Sequence, residues 1–304
     1  MDIEILGSGG ALPAPRPGCS CRICTQARSH GVPAARTGPG IFVAGPNLLV
    51  DASEDIRQQL NRSGMRPIEA CVFSHWHPDH TLGLRIFEHL NWDVLGWPPQ
   101  HRQTVVYLPE QVAKDFRERN FLWGQLQYLQ QTGLITVCEL HDGESFTLAT
   151  TRITPFPLAE RYVYAFLLEE SEARVLLVPD EVLGWQPQRE LGSLDLAVIP
   201  MGIPEFHPLT GERRIPQEHP LLRLEATFEQ VLDIVAQLRA RVTVLTHIDE
   251  LAGLTPEDLD LLATRYQARG LVLSFAYDGL RLIPTQRHDI LRNALSYGSI
   301  EDSK

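Results

Sequence analysis

Short apolar runs broken by Gly, Pro and charged residues mark most of this chain as β-strand, with a few amphipathic helices between. Residues 2–6 alternate and predict a first strand, ended by Gly7-Ser8-Gly9-Gly10. That turn lacks the lysine of a phosphate loop and the helix start of a dinucleotide fingerprint. It predicts a tight turn, with close backbone approach to a neighbouring site as a second use for its glycines. Residues 40–44 and 47–51 predict a hairpin around Gly45-Pro46. Ser53 predicts a helix cap, with Ile56 and Leu60 inward and Gly64 at the end. Residues 68–73 read as a buried strand. Shorter strands are predicted at 137–140, 145–148 and 151–156, a hairpin at 162–169 and 173–179, and buried strands at 194–200 and 241–246. Thr227-x-x-Gln230 is a capping box ahead of an apolar stripe formed by Phe228, Val231, Leu232, Val235 and Leu238. Thr255-Pro256-Glu257-Asp258 starts a second capped helix, and strands at 271–277 and 280–283 close the chain.

Residues 84–134 depart from this rhythm. They carry Trp92, Trp97 and Trp123 and one helical stretch, 111–131, and predict an insertion that covers a site. Residues 285–304 form a polar tail. No repeat or linker divides the 304 residues, so a single α+β domain is expected over 1–304.

The chemistry concentrates just after the strand at 68–73, in Ser74-His75-Trp76-His77-Pro78-Asp79-His80-Thr81-Leu82-Gly83. Of the 11 histidines in the chain, three fall within the six positions 75–80, beside a carboxylate. His75 and His77 can face one way while Asp79 and His80 face the other, which suits two metal ions a few ångströms apart. Imidazole with carboxylate suits zinc, manganese or iron. A loop of satisfied polar side chains is the plainer alternative, and it would bury many polar groups at a cost. Asp51, Asp180 and His247 each end a predicted strand, where they can converge on the same loop. Cys19, Cys21 and Cys24 form a second cluster in a Pro- and Gly-rich stretch. Reduced thiols in a loop would explain them, but three thiolates one ligand short of a tetrahedron predict a structural zinc. His30, Asp249 and Glu250 are the candidates for its fourth ligand. Cys71 and Cys138 lie in apolar stretches and read as inert core residues.

Composition narrows the partners. With 27 basic and 38 acidic residues the net charge is −11, which disfavours a nucleic-acid surface and favours a small molecule. An anionic substrate would then draw its positive charge from bound metal. No apolar run reaches the length of a membrane span, and the acidic start, Met1-Asp2-Ile3-Glu4, is unlike a signal peptide, so a cytoplasmic location is expected. The composition leaves a homodimer open.

The opening Gly7-Ser8-Gly9-Gly10, the Cys19-x-Cys21-x-x-Cys24 loop, Asp51, residues 74–84, Asp180, Thr246-His247-Ile248 and Tyr277-Asp278-Gly279 together resemble the metallo-β-lactamase superfamily. They are most similar to the branch holding the cyclic ribose-phosphate phosphodiesterase of phosphonate breakdown and the pyrroloquinoline-quinone biosynthesis B protein. The resemblance covers nearly the whole chain. It implies a four-layer αββα sandwich with a dinuclear site at one edge of two sheets. It also implies that His75 and His77 hold one metal, that Asp79, His80 and His247 hold the second, and that Asp180 bridges them. Asp79 and Asp180 would then be the catalytic carboxylates, around a bridging hydroxide as nucleophile.

The sequence departs from that family at three places. The usual third histidine of the first metal is missing from Pro157-Leu158-Ala159-Glu160-Arg161-Tyr162, where Glu160 is the candidate replacement. Glu225, with His219 and His207 nearby, stands where the phosphodiesterase has a substrate-handling histidine. Glu250 stands where it has a structural zinc ligand. The resemblance thus implies a metal-dependent hydrolase of a small phosphodiester. Transfer-RNA processing, a lactonase or a thioesterase, and a non-hydrolytic metalloprotein (a mononuclear-iron oxygen-using enzyme or a cofactor-biosynthesis accessory protein) are the alternatives.

Overall fold

The computed structural model describes residues 1–64, 67–119, 121–188 and 191–286; all but two residues of the expected tail lie outside that range. In chain order the first half runs β1 (Asp2–Gly7), α1 (Arg22–His30), β2 (Gly40–Ala44), β3 (Leu48–Val50), α2 (Ile56–Arg62), β4 (Ala70–Val72), α3 (Pro78–Thr81), α4 (Ile86–Asn91), β5 (Thr104–Pro109), α5 (Glu110–Glu118), α6 (Leu122–Gln131) and β6 (Ile135–Leu140). The second half runs β7 (Phe146–Leu148), β8 (Thr151–Pro157), β9 (Tyr164–Glu169), β10 (Arg174–Leu177), β11 (Leu196–Pro200), α7 (Phe228–Leu238), β12 (Val242–Thr246), α8 (Pro256–Gln267), β13 (Leu273–Phe275) and β14 (Leu280–Leu282).

The strands form two sheets of seven, in the orders β14-β1-β2-β3-β4-β5-β6 and β13-β12-β11-β10-β9-β8-β7. Period-two alternation explains how they stack. On β9, Tyr164, Phe166 and Leu168 face the first sheet and share a core with Ile3, Leu49, Val72 and Val106. The intervening Ala165 and Leu167 face the other way and join Phe228, Val231, Leu259 and Leu262 of α7 and α8. On the far face of the first sheet, α5 packs Phe116 against Phe73, with ring centroids 5.3 Å apart. Helix, sheet, sheet and helix therefore lie in four layers, each sheet buried on both faces. Both predicted capping boxes are formed, Thr227 with Gln230 and Thr255 with Asp258.

Three expectations change here. Residues 84–134 are no added cover: β5 pairs in parallel with β4 on one side and β6 on the other, inside the sheet. The Trp residues and the short apolar runs around β5 hid this strand. The helical stretch 111–131 is two helices, because Phe121 adopts a left-handed φ of 56° between α5 and α6. The cysteine stretch, read as irregular, contains α1, capped by the Cys21 side chain accepting from Cys24 N.

The parallel arrangement places the site. β3, β4 and β5 run parallel, as do β10, β11 and β12, so each set delivers its following loop at one end. Asp51 follows β3, the histidine loop follows β4, Asp180 follows β10 and His247 follows β12. The two sheets are stitched at this edge by Tyr164 N donating to Ser74 O and Ile248 N donating to Ser8 O, at 3.0 and 2.8 Å.

Candidate metal centre

The histidine loop is short because α3 begins at once after it, with Pro78 at its first position, where a missing N–H costs nothing. Gly83 N donates to Ala52 O at 2.9 Å, and Ala52 N to His80 O at 2.8 Å, which pins α3 against the end of β3. His75 and His80 are fully buried, while His77 keeps a third of its side chain exposed. Asp51 and His247 hold left-handed φ values of 60° and 55°, a strained backbone that turns both side chains off the strand line into the site.

Two groups of three potential ligands result. His75, His77 and Asp180 form one, and Asp79, His80 and His247 the other, each with donor atoms within 4.8 Å of one another. Asp180 spans both. Its Oδ2 lies 3.1 Å from His75 Nε2, 3.8 Å from His77 Nδ1 and 3.6 Å from His80 Nε2, and its Oδ1 lies 3.4 Å from His247 Nε2. Asp79 Oδ2 lies 3.4 Å from His80 Nε2 and 3.6 Å from His247 Nε2.

Whether these residues fit metal ions can be tested on their unmet valences. His75 Nε2, His80 Nε2 and His247 Nε2 are buried and, among the described residues, make no hydrogen bond of good geometry. They converge on carboxylate oxygens without bonding them, an arrangement that a cation between them would satisfy. The tautomers agree. Asp51 Oδ2 accepts from Ser74 Oγ at 2.6 Å, and a carboxylate has no proton to give. Ser74 Oγ, 2.9 Å from His75 Nδ1, therefore accepts from that ring nitrogen and leaves His75 Nε2 a free lone pair.

Electrostatics point the same way. Burial opposes ionisation of Asp180, yet His247 and the neighbouring His75 and His77 rings hold it well below the usual carboxylate range. Burial likewise opposes charge on His247, but Asp180 and Asp79 push it up to about 10. Asp79 and Asp51 push His80 up against its burial. Without metal, these carboxylates hold protons on the rings; the same field would hold a cation. The residues fit a pair of divalent ions.

Two other predicted residues take different places. Glu160 is exposed and belongs to neither group, so it does not replace the missing histidine. Two positions on, the Tyr162 ring does reach the first group, 5.6 Å from the His77 ring and 6.2 Å from that of His75. Burial, then Asp180, push its phenol up to about 12. Tyr162 drew no attention in the sequence because the missing group there was a histidine and the carboxylate of Glu160 stood nearer its chemistry; the side-by-side alternation of a hairpin turn was the available signal. His219 is exposed and caps a short 3-10 turn, its Nδ1 accepting from Leu221 N at 3.2 Å. It lies outside both groups.

A cleft of about 170 Å³ adjoins the second group. Its polar wall comprises His77, His247 and five carboxylates: Asp79, Asp180, Glu181, Glu225 and Asp249. Leu12, Val182, Ile203, Leu221 and Leu251 supply apolar wall, and among the described residues neither lysine nor arginine lines it. Trp92, Trp97 and Trp123 are absent from its lining too, so they do not stack on whatever it holds. Burial and a hydrogen bond with Glu181 push Glu225 up to about 9, so the pair shares a proton at neutral pH. The opening glycines do approach the site: a Cβ built on Gly10 would overlap the His247 ring.

The cysteine cluster is separate. Cys19, Cys21, Cys24 and Glu250 bring one ligand atom each within 4.8 Å of the others. Glu250 Oε1 lies 2.9 Å from Cys21 Sγ. Of the other fourth-ligand candidates, His30 bonds its own helix and Ser29, and Asp249 accepts from Leu12 N at 2.9 Å. Three sulfurs with one carboxylate suit zinc.

Residues 46–248 match a family described as the beta-lactamase superfamily domain. The chain belongs to that family. It is 26% identical over 287 residues to an octanoyltransferase of Porphyromonas gingivalis, covering 93% of this chain and 51% of that protein. The chain thus spans about half the length of this relative. Among solved structures, a diphosphatase from the PhnP family superposes with a TM-score of 0.67 at 24% identity, covering 93% of this chain and 97% of the other. Zinc-bound PqqB from Methylobacterium extorquens does so at 0.68 with 19% identity, covering 93% and 100%. Two mixed sheets with helices outside are the α+β metallo-β-lactamase sandwich. Among the described residues no helix is long and apolar enough to cross a membrane.

Proposed function

We propose that this chain is a metal-dependent hydrolase of a small phosphodiester. The observation that carries the reading is the pair of ligand groups joined by Asp180, with three unbonded imidazole nitrogens turned inward. Bound there, a divalent pair supplies Lewis acidity and a water acidic enough to ionise near neutral pH. The chain's own residues do the rest. His75, His77 and Asp180 would hold one ion, and Asp79, His80 and His247 the other, with Asp180 serving both. Asp51 orients His80 directly and His75 through Ser74. The cysteine cluster with Glu250 would hold a structural zinc that fastens the residue 13–40 stretch to the turn after β12.

The cleft limits the substrate. Its wall is acidic and apolar, so the anionic phosphate belongs at the metals and the leaving arm is uncharged and partly apolar. A polyanion such as transfer RNA would meet five carboxylates there. The likeness to a PhnP-family diphosphatase supports phosphoester chemistry. The test is hydrolysis of bis-p-nitrophenyl phosphate by purified protein supplied in turn with zinc, manganese and iron. Turnover that Asp180→Ala abolishes, together with metal content, supports the reading. A wild-type protein that hydrolyses no phosphodiester with any of these metals overturns it in favour of a non-hydrolytic metalloprotein.

A further inference from the structure

Neither ligand group uses Tyr162, yet the fold fixes its ring beside the first. The turn from β8 to β9 is tight: Leu158 N donates to Val163 O and Val163 N to Glu160 O, both at 2.9 Å. Immediately after it, Tyr164 N donates to Ser74 O, the residue preceding His75. Tyr162 is thereby held against the His75–His77 face on a two-residue tether. Trp76 backs the same face, its ring 6.5 Å from Tyr162 and 4.6 Å from His77, and the Arg119 guanidinium lies 4.4 Å over Trp76. His77 is a third exposed and also lines the carboxylate-walled cleft, so this face meets the cleft at His77.

A phosphoryl group undergoing displacement spreads negative charge over its non-bridging oxygens and needs donors aimed at them. Among the described residues the cleft offers carboxylates and no lysine or arginine. The first group already has three donors, so a fourth protein ligand would close the position that a substrate needs. A neutral phenol beside it can donate a hydrogen bond without occupying that position.

Resting on the phosphodiesterase reading, we propose that Tyr162 contacts the substrate, its hydroxyl donating a hydrogen bond to a non-bridging phosphoryl oxygen of an ester seated beside His75 and His77. The role is that of an oxyanion donor, and it stands in the turn where the resemblance placed a histidine. Trp76 and the turn hold the ring, so the donor is in place before substrate arrives.

The experiment compares wild type with Tyr162→Phe in the full, zinc-loaded chain. Inorganic phosphate is titrated by calorimetry, zinc affinity is measured by chelator competition, and bis-p-nitrophenyl phosphate turnover is followed in parallel. Tyr162→Phe should bind phosphate roughly 10-fold more weakly and lose roughly 10- to 100-fold in kcat/KM, the scale of one lost hydrogen bond to a charged oxygen. Its zinc affinity and melting temperature should match wild type. Unchanged phosphate binding overturns the proposal. So does a loss of zinc affinity, or a visible tyrosinate charge-transfer band in ferric-loaded wild type, since either makes Tyr162 a ligand. The phosphate titration needs no turnover, so it decides the role of Tyr162 even where the phosphodiesterase reading fails.

Discussion

His80 Nδ1 donates to Asp51 Oδ2 at 2.8 Å, with both side chains buried. Asp51 also accepts from Ser74 N and Ser74 Oγ, at 2.7 and 2.6 Å, and Ser74 in turn accepts from His75 Nδ1. One carboxylate outside both ligand groups therefore sets the tautomer of a histidine in each. Partners of this kind change metal affinity by roughly 10- to 100-fold when removed. Asp51→Asn keeps the shape but brings an amide that can donate where the carboxylate accepted. We expect it to weaken zinc binding at both sites by that factor, read by chelator competition. Wild-type affinity in Asp51→Asn would show that the ring orientations are set by packing alone.

Gly10 gives the second expectation. Its Cα passes so near His247 that any side chain would overlap the ring. Gly10→Ala must push His247 away from Asp79 and Asp180, its neighbours at 3.6 and 3.4 Å. The second ion should be lost selectively, with Cys-site zinc retained. Bound metal per chain, measured by emission spectrometry, should fall by about one; an unchanged stoichiometry would mean that the Gly9–Gly10 backbone yields without cost.

A third expectation concerns pH. Glu225 is pushed up to about 9, from 4.5, first by burial and then by its hydrogen bond with Glu181. The unfolded chain releases this proton near pH 4.5, whereas the folded chain keeps it until about 9. The folded state therefore binds more protons across that window, and its stability falls as pH rises through it. Glu225→Gln removes the titration. At pH 8 the variant should melt roughly 2–4 °C higher than wild type, the shift that about 1 kcal/mol produces in a large domain. At pH 5 the two should coincide. A difference that stayed constant from pH 5 to pH 8 would rule out this carboxyl as its source.

The fold and the ligand set were legible for different reasons. Alternation and caps revealed most strands and both capping boxes, because each is a local signal read within a few residues. The candidate ligands His75, His77, Asp79 and His80 were legible because a strand followed by a helix leaves a tight loop no room to disperse them. β5 was not, since Trp92, Trp97 and the polar residues before it masked its approach. Glu160 was singled out and Tyr162 was not, because only tertiary structure decides which residue of a hairpin turn faces inward. Glu250 was left open beside Asp249 for a like reason: adjacent residues point opposite ways, and the direction depends on Leu12, which engages both through its N–H and its carbonyl.

The cysteine stretch yields the last expectation. Its own apolar core is small, with Ala14, Ile23 and Ala27 buried together. Arg22 ties α1 to α8 through Asp258 at 2.7 Å, but that pair is largely exposed and contributes little. So little burial cannot by itself order a stretch this rich in Pro and Gly, and a metal holding Cys19, Cys21, Cys24 and Glu250 would staple it to the turn that follows His247. Cys21→Ser removes the sulfur that lies 2.9 Å from Glu250. We expect one zinc fewer per chain, a melting temperature lower by several degrees, and proteolysis within residues 13–40 before any other cut. Glu250→Gln should retain part of the zinc, because an amide oxygen is a weaker ligand than a carboxylate. Ions held by His75, His77, Asp79, His80, Asp180 and His247 should remain in both variants. If Cys21→Ser keeps its full zinc content and its melting temperature, the cluster is three reduced thiols beside a carboxylate and the staple does not exist.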